Sequence, residues 1–178
     1  MNIANHIFKN IKAFSTIPQL IQVFSAIVFS KYNYGIELYG NCRQVLMTKL
    51  QVTQNRILKT ILSKRKRTST NAIHKATKIL KIKDSFFMRQ CLLIHDLTHN
   101  IGKIPDSMKD KIQRQADIHN RNTRGVDNIT VSASHYKRRN KIIEAASLKW
   151  NSLTHSIKST TCRDSFKNLI RNNFLDKY

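Results

Sequence analysis

Between Cys42 and Leu62 the apolar residues recur with the period of an α-helix, and this run sets the fold class. At 3.6 residues per turn, Leu46, Met47, Leu50, Ile57, Leu58, Ile61 and Leu62 share one arc, while Lys49, Arg56 and Lys59 share another. One helix therefore offers a side to a core and a side to an anion. Before it lies an aromatic turn, Tyr34-Gly35 to Tyr39-Gly40, holding two of the chain's four glycines. Glycine serves where φ must be positive or a backbone must come close. After the helix stand four consecutive like charges, Lys64-Arg65-Lys66-Arg67.

The same period recurs along the rest of the chain. Ile3, Ile7, Phe8, Ile11 and Phe14 predict a helix over 3–14, broken at Ser15 and Thr16. Pro18 suits the first turn of a second helix, about 18–31, which is apolar on most sides and expected to be buried. Its β-branched residues leave a strand as the alternative. Thr68-Ser69-Thr70 offers caps for a helix of about 71–80, with Ile73, Ala76, Thr77 and Leu80 on one face. Asp84 or Ser85 opens a longer helix to about Asn100. Phe86, Phe87, Cys91, Leu93, Ile94, Leu97 and Ile101 cover most of it, and Arg89 and Asp96 form a polar stripe. It is the expected central helix, with Gly102 at its C′ position. A polar helix over about 106–117 follows, then a short extended piece from Ile129 to Ala133. Helices of about 139–150 and 162–175 close the chain, the last with Cys162, Phe166, Leu169, Ile170 and Phe174 on one face. The expected fold is all-α: a helical bundle over 1–102 and a looser, partly irregular helical region over 103–178.

Charge limits the function. Thirty-two Lys and Arg against ten Asp and Glu give a formal net charge of +22. Such an excess attracts polyanions and strains the compact state by self-repulsion. The charges interleave with Ile, Leu, Phe and Val throughout, unlike a disordered basic arm. Nucleic acid is the expected partner, and an anionic membrane surface is the rival. The apolar run from Ile17 to Phe29 is too short and too polar to span a bilayer, so no membrane partner is expected. Cys42, Cys91 and Cys162 lie far apart, with no Cys-x-x-Cys pattern, and are expected as small buried hydrophobes. With no signal-like segment they fit a reducing, intracellular compartment, nuclear or cytoplasmic.

Catalytic patterns are absent. Polymerase or nuclease metal chemistry needs clustered carboxylates, and the chain has no Asp-Asp pair. Asp106 and Asp110 fall in the polar helix and are expected to be solvated. His95 and His99 stand four apart, but no glutamate base lies between them, and core-edge packing is favoured over a metal. No glycine-rich phosphate loop is present, and no nucleophile stands beside a base.

Tyr34-Gly35, Tyr39-Gly40, Leu50-Gln51 and Gln54-Asn55-Arg56-Ile57-Leu58 resemble, in order and spacing, the thumb of reverse transcriptases from jockey-like non-LTR retrotransposons. Lys59 stands where that pattern closes on arginine. Downstream, His119 with Thr123-Arg124, Trp150-Asn151-x-Leu153, and Ser165-Phe166-Lys167 followed by Leu169 resemble elements of the same family's tail. Thr154 replaces its usual proline. The resemblance covers nearly the whole chain and implies a thumb and C-terminal tail without fingers or palm. It implies that the partners are RNA or an RNA–DNA duplex and the missing palm and fingers. It implies no cofactor in this chain, since magnesium belongs to the palm of the parent polymerase. Residues 3–31 would then expose an apolar face in the palm's absence.

The expected phosphate contacts are Lys49, Arg56, Lys59 and the block Lys64, Arg65, Lys66 and Arg67. That block reads either as an extension of the thumb helix along a nucleic-acid backbone, or as a nuclear-localisation patch or plain solvated loop. Arg121 with Arg124, and Lys137 with Arg138 and Arg139, form two further basic clusters. Tyr136 reads either as a base platform or as a packed residue. Tyr34, Tyr39 and Trp150 are expected as packing anchors. The alternative function is a free-standing basic helical protein that binds RNA or DNA.

Overall fold

The computed structural model describes residues 3–99, 112–118, 127–130 and 141–178. It is an all-α protein with one two-residue antiparallel ladder among the described residues. They divide into two compact units, Met1–Phe86 with Asn173–Tyr178, and Phe87–Asn172.

In the first unit, α1 (Ile3–Ile11) runs into a 3₁₀ turn (Lys12–Phe14) and stops at the extended Ser15. Helix α2 (Ile17–Val23) starts after Thr16, whose N–H is accepted by Gln19 Oε1 at 2.8 Å, and Pro18 sits in its first turn as expected. The chain stays helical through a widened π segment (Phe24–Phe29) into α3 (Ser30–Asn33), so the strand alternative is not adopted. Leu20 and Phe24 are buried as expected, and Ile21, Val23, Val28 and Phe29 pack half-buried against the same core. Ile17 and Ile27 are exposed, as are Ile3, Ile7 and Phe14.

The aromatic turn uses its two glycines differently. Gly35 has φ +62° and starts α4 (Ile36–Tyr39). Gly40 has an ordinary φ of −61°, but a Cβ there would lie 2.3 Å from the Phe86 ring. Tyr39 packs as expected, its hydroxyl donating to the Tyr32 carbonyl. Tyr34 is 86% exposed and anchors nothing among the described residues, which corrects the expectation for it.

Helix α5 (Gln44–Ile61) buries Met47, Ile57, Leu58 and Ile61. Leu46, predicted for the same arc, is half exposed, while Gln54 is fully buried. The reason is a polar hub. Gln54 Nε2 donates to the Leu80 carbonyl at 2.9 Å, and Gln51 Oε1 accepts the N–H of Ile82 at 2.8 Å. Two amides thus hold α5 to the segment that joins α6 (Thr70–Thr77) to α7 (Ile82–Thr98). The expected caps shift: α6 begins at Thr70 without a side-chain cap, and Asp84 and Ser85 lie inside the first turn of α7. Ser85 instead donates to Asn33 Oδ1 at 2.5 Å.

His74, wholly buried, completes the hub with Nδ1 2.8 Å from the Ile79 carbonyl and its ring 5.8 Å from that of Tyr178. Burial lowers its pKa, with Lys81 adding to the effect and the Ile79 hydrogen bond and Asp84 opposing it. Folding therefore favours neutral His74, and the unfolded chain takes up its proton first. This contribution is complete above a pH of about 6.5 and is lost as pH falls below it. The urea midpoint is expected to drop between neutral and mildly acidic pH, and His74→Gln is expected to flatten that part of the profile.

In the second unit, Trp150 of α9 (Lys141–Asn151) and Phe166 of α11 (Arg163–Asp176) pack with His95. His95 stacks on Phe166 at 4.4 Å and donates from Nε2 to the Thr160 carbonyl at 2.8 Å. It is a core residue, as favoured. Of the expected face of α11, Phe166 and Ile170 are buried, whereas Leu169 and Cys162 are exposed. A short α10 (His155–Lys158), not expected, lies between these helices. Residues 113–114, expected as the end of a polar helix, form β1 (Gln113–Arg114) and pair with β2 (Ile129–Thr130) before a single turn, α8 (Gln115–Ile118). The extended piece from Ile129 is therefore present at 129–130, and 131–133 lie outside the described residues, as do Gly102 and 106–111. Trp150 donates to the Asp127 carbonyl at 3.0 Å, and Asn151 brackets the backbone of Ile129 at 2.8 and 3.0 Å. No described helix is long and apolar enough to cross a membrane.

The cysteines differ from the expectation of three buried hydrophobes. Only Cys91 is buried, and burial pushes its thiol up to about 12 against the opposing pull of Lys149 and Lys158. Cys162 is exposed, and the Ser165 N–H, the Ser165 side chain and the Asp164 N–H lower its pKa. Iodoacetamide under native conditions is expected to label Cys162 first and half-exposed Cys42 later. Cys91 should react only on unfolding.

Candidate nucleic-acid interface

Helices α1 and α5 pack together, and each turns one polar stripe towards the other. On α1 and its 3₁₀ turn the stripe is Asn5, Lys9 and Lys12, spaced four and three apart. On α5 it runs from Asn55 and Arg56 through Lys59 and Thr60 to Ser63, at helical spacing, with the apolar Val52 one turn before it. The stripes border a groove of about 830 Å³ in the first unit, with Lys64 and Lys66 at one end. Six cations line it and no acid does.

Local chemistry fixes this arrangement. Helix α5 ends with Ser63 in the left-handed region at φ 54°. The N–H of Lys64 reaches the Lys59 carbonyl at 2.9 Å, and the N–H of Ser63 reaches that of Thr60 at 3.2 Å. This is a Schellman closure with serine where glycine is usual. It folds the basic block back along the helix it follows. Lys12 donates to the Thr60 carbonyl at 2.9 Å and to the Ser63 hydroxyl, placing a cation on the negative end of α5. Lys59 donates to the Lys66 carbonyl at 2.6 Å and holds the returning loop. Thr60 donates to Asn5 Oδ1 at 2.7 Å and ties the two walls. No hydrogen bond or ion pair engages the side chains of Lys9, Arg56, Lys64 or Lys66 among the described residues.

Of the predicted contacts, Arg56, Lys59, Lys64 and Lys66 come together in this groove. Lys49 lies two turns before Arg56 on nearly the same face of α5, exposed and outside the groove. Arg65 and Arg67 are exposed and also outside it. Arg121, Arg124, Lys137, Arg138 and Arg139 lie outside the described residues, with Tyr136 and His119. Sequence reasoning missed Lys9 and Lys12. Their spacing with Asn5 was the available signal, hidden because α1 was read for its apolar face.

The first unit carries sixteen Lys and Arg against three Asp and Glu. Among those acids, Asp84 accepts the Tyr178 hydroxyl. Among the described residues no three His, Cys, Asp or Glu side chains stand together as metal ligands. No family model matches the chain, nor does any curated protein or solved structure.

Proposed function

We propose that the chain binds nucleic acid through its phosphate backbone, as the thumb and tail of an RNA-directed DNA polymerase of the non-LTR retrotransposon kind. One observation carries the binding reading: six cations from α1, α5 and the following loop line one groove without an acid. Such a surface gains by neutralising phosphates and releasing their counterions. No aromatic side chain lines the groove, so contact is led by phosphate and indifferent to sequence. The polymerase label rests on the resemblance of Tyr34-Gly35, Gln51 to Leu58 and Trp150-Asn151 to the family's pattern. Metal-dependent synthesis would belong to the palm of the parent enzyme. The exposed Ile3, Ile7, Phe14, Ile17 and Ile27 are in keeping with a unit that packs against such a palm.

The test is fluorescence anisotropy of the chain with an RNA–DNA hybrid across a salt series. Log affinity should fall linearly with log salt, and the slope should shrink by about one unit per phosphate contact removed when Lys64 to Arg67 become Ala. A well-folded chain that shows no binding to the hybrid or to either single strand at low salt would sink the reading.

A further inference from the structure

We infer that the groove between α1 and α5 receives an unpaired strand of nucleic acid in preference to a duplex, its backbone running between the two helices. This rests on the backbone-binding reading above and narrows its substrate. Cations stand on both walls, Lys9 and Lys12 on one side and Arg56 and Lys59 on the other, with Lys64 and Lys66 closing an end. A strand lodged there is gripped from two sides, whereas in a duplex each backbone has its partner strand along its inner side. The volume of about 830 Å³ is that of a small-ligand cleft, room for a short run of nucleotides between the two walls.

The polar groups of the groove point the same way. Asn5 Oδ1 accepts the Thr60 hydroxyl at 2.7 Å, and Asn55 Oδ1 accepts Gln51 Nε2 at 2.8 Å. Both amide oxygens are thus engaged within the protein, and no hydrogen bond engages the two NH₂ groups among the described residues. With the ammonium and guanidinium groups they make a lining rich in donors. Donors suit phosphate oxygens and also the carbonyl edges of bases, which a duplex uses for pairing and a single strand leaves free. Val52 adds an apolar surface for sugars or base faces. The exposed Lys49, Arg65 and Arg67, outside the groove, remain for duplex phosphates.

The test compares fluorescein-labelled oligouridine and oligothymidine with an RNA–DNA hybrid of equal length, by anisotropy at one salt concentration. Single strands should bind about tenfold tighter than the hybrid. The exposed double variant Lys9→Gln/Arg56→Gln should weaken single-strand binding by about tenfold and hybrid binding by no more than about twofold, from the loss of two groove contacts. Lys49→Gln/Arg65→Gln/Arg67→Gln should do the reverse, and thermal melts should show both variants folded. A hybrid that binds as tightly as the single strands, or two variants that weaken both ligands alike, overturns the single-strand assignment and leaves backbone binding standing. Loss of all binding in a folded wild-type chain overturns both. Heparin that displaces the single strand at an equal concentration of charge marks a general polyanion surface, and also overturns the assignment.

Discussion

Gly40→Ala is expected to destabilise the first unit by about 3 kcal/mol or more, the upper end of overpacking costs. The added Cβ would stand 2.3 and 2.4 Å from two carbons of the Phe86 ring and 2.6 Å from the Ile36 carbonyl oxygen. Neither neighbour has room to yield. Phe86 is 6% exposed and packs with Ile36, Met47 and Ile82, and the Ile36 oxygen already accepts the Gly40 N–H at 2.8 Å. Gly35→Ala makes the control. Its Cβ would meet only a Leu38 methyl at 4.0 Å, so its cost is the left-handed backbone alone, about 1 kcal/mol. Urea unfolding of both variants orders them. Phe86→Leu in the Gly40→Ala background should recover part of the loss, a coupling that a double-mutant cycle reads directly. Equal stability of the two alanine variants would refute the packing argument.

The all-α class was legible because the helical period recurs in the stretches 3–14 and 42–62, whereas over 18–31 the β-branched residues also allowed a strand and only the structure decides for helix. Phe8, Ile57, Leu58 and Ile61 all reach the core that the period predicts. The turn glycines were legible as a pair, but only packing separates their roles, φ at Gly35 and contact at Gly40. Polar residues misled where tertiary structure overrode type. Gln54 and His74 are fully buried because backbone groups between α6 and α7 need partners, and nothing local in the sequence announces those groups. The residues that carry the family resemblance mostly do such work. Gln54 holds the segment before α7 and Gln51 the first residue of α7, Asn151 holds β2, and Phe166 fills a core. The candidate site was half legible. Charge marked Arg56, Lys59 and the 64–67 block, yet the groove needs Lys9 and Lys12, some fifty residues away. A left-handed Ser63, which no glycine marks, decides where the block points.

Neutralising the free cations of that groove is expected to remove most of the salt dependence of binding. Lys12 and Lys59 each also hold a backbone carbonyl, so the variant spares them for the fold and changes the four others: Lys9→Gln, Arg56→Gln, Lys64→Gln and Lys66→Gln. For six cations engaging a single strand, log affinity against log salt should fall with a slope of about −4, from about 0.7 per phosphate. With four removed the slope should be about −1.4 by the same rule, and affinity at low salt should drop by orders of magnitude. The same changes should leave the fold intact or firmer, because like charges crowd one groove with no acid between them. A raised or unchanged melting temperature with a flattened salt slope is therefore the expected joint result. A slope that stays steep in a folded quadruple variant would move the phosphate contacts out of the groove, to Lys49, Arg65 and Arg67 or to the clusters at 121–124 and 137–139.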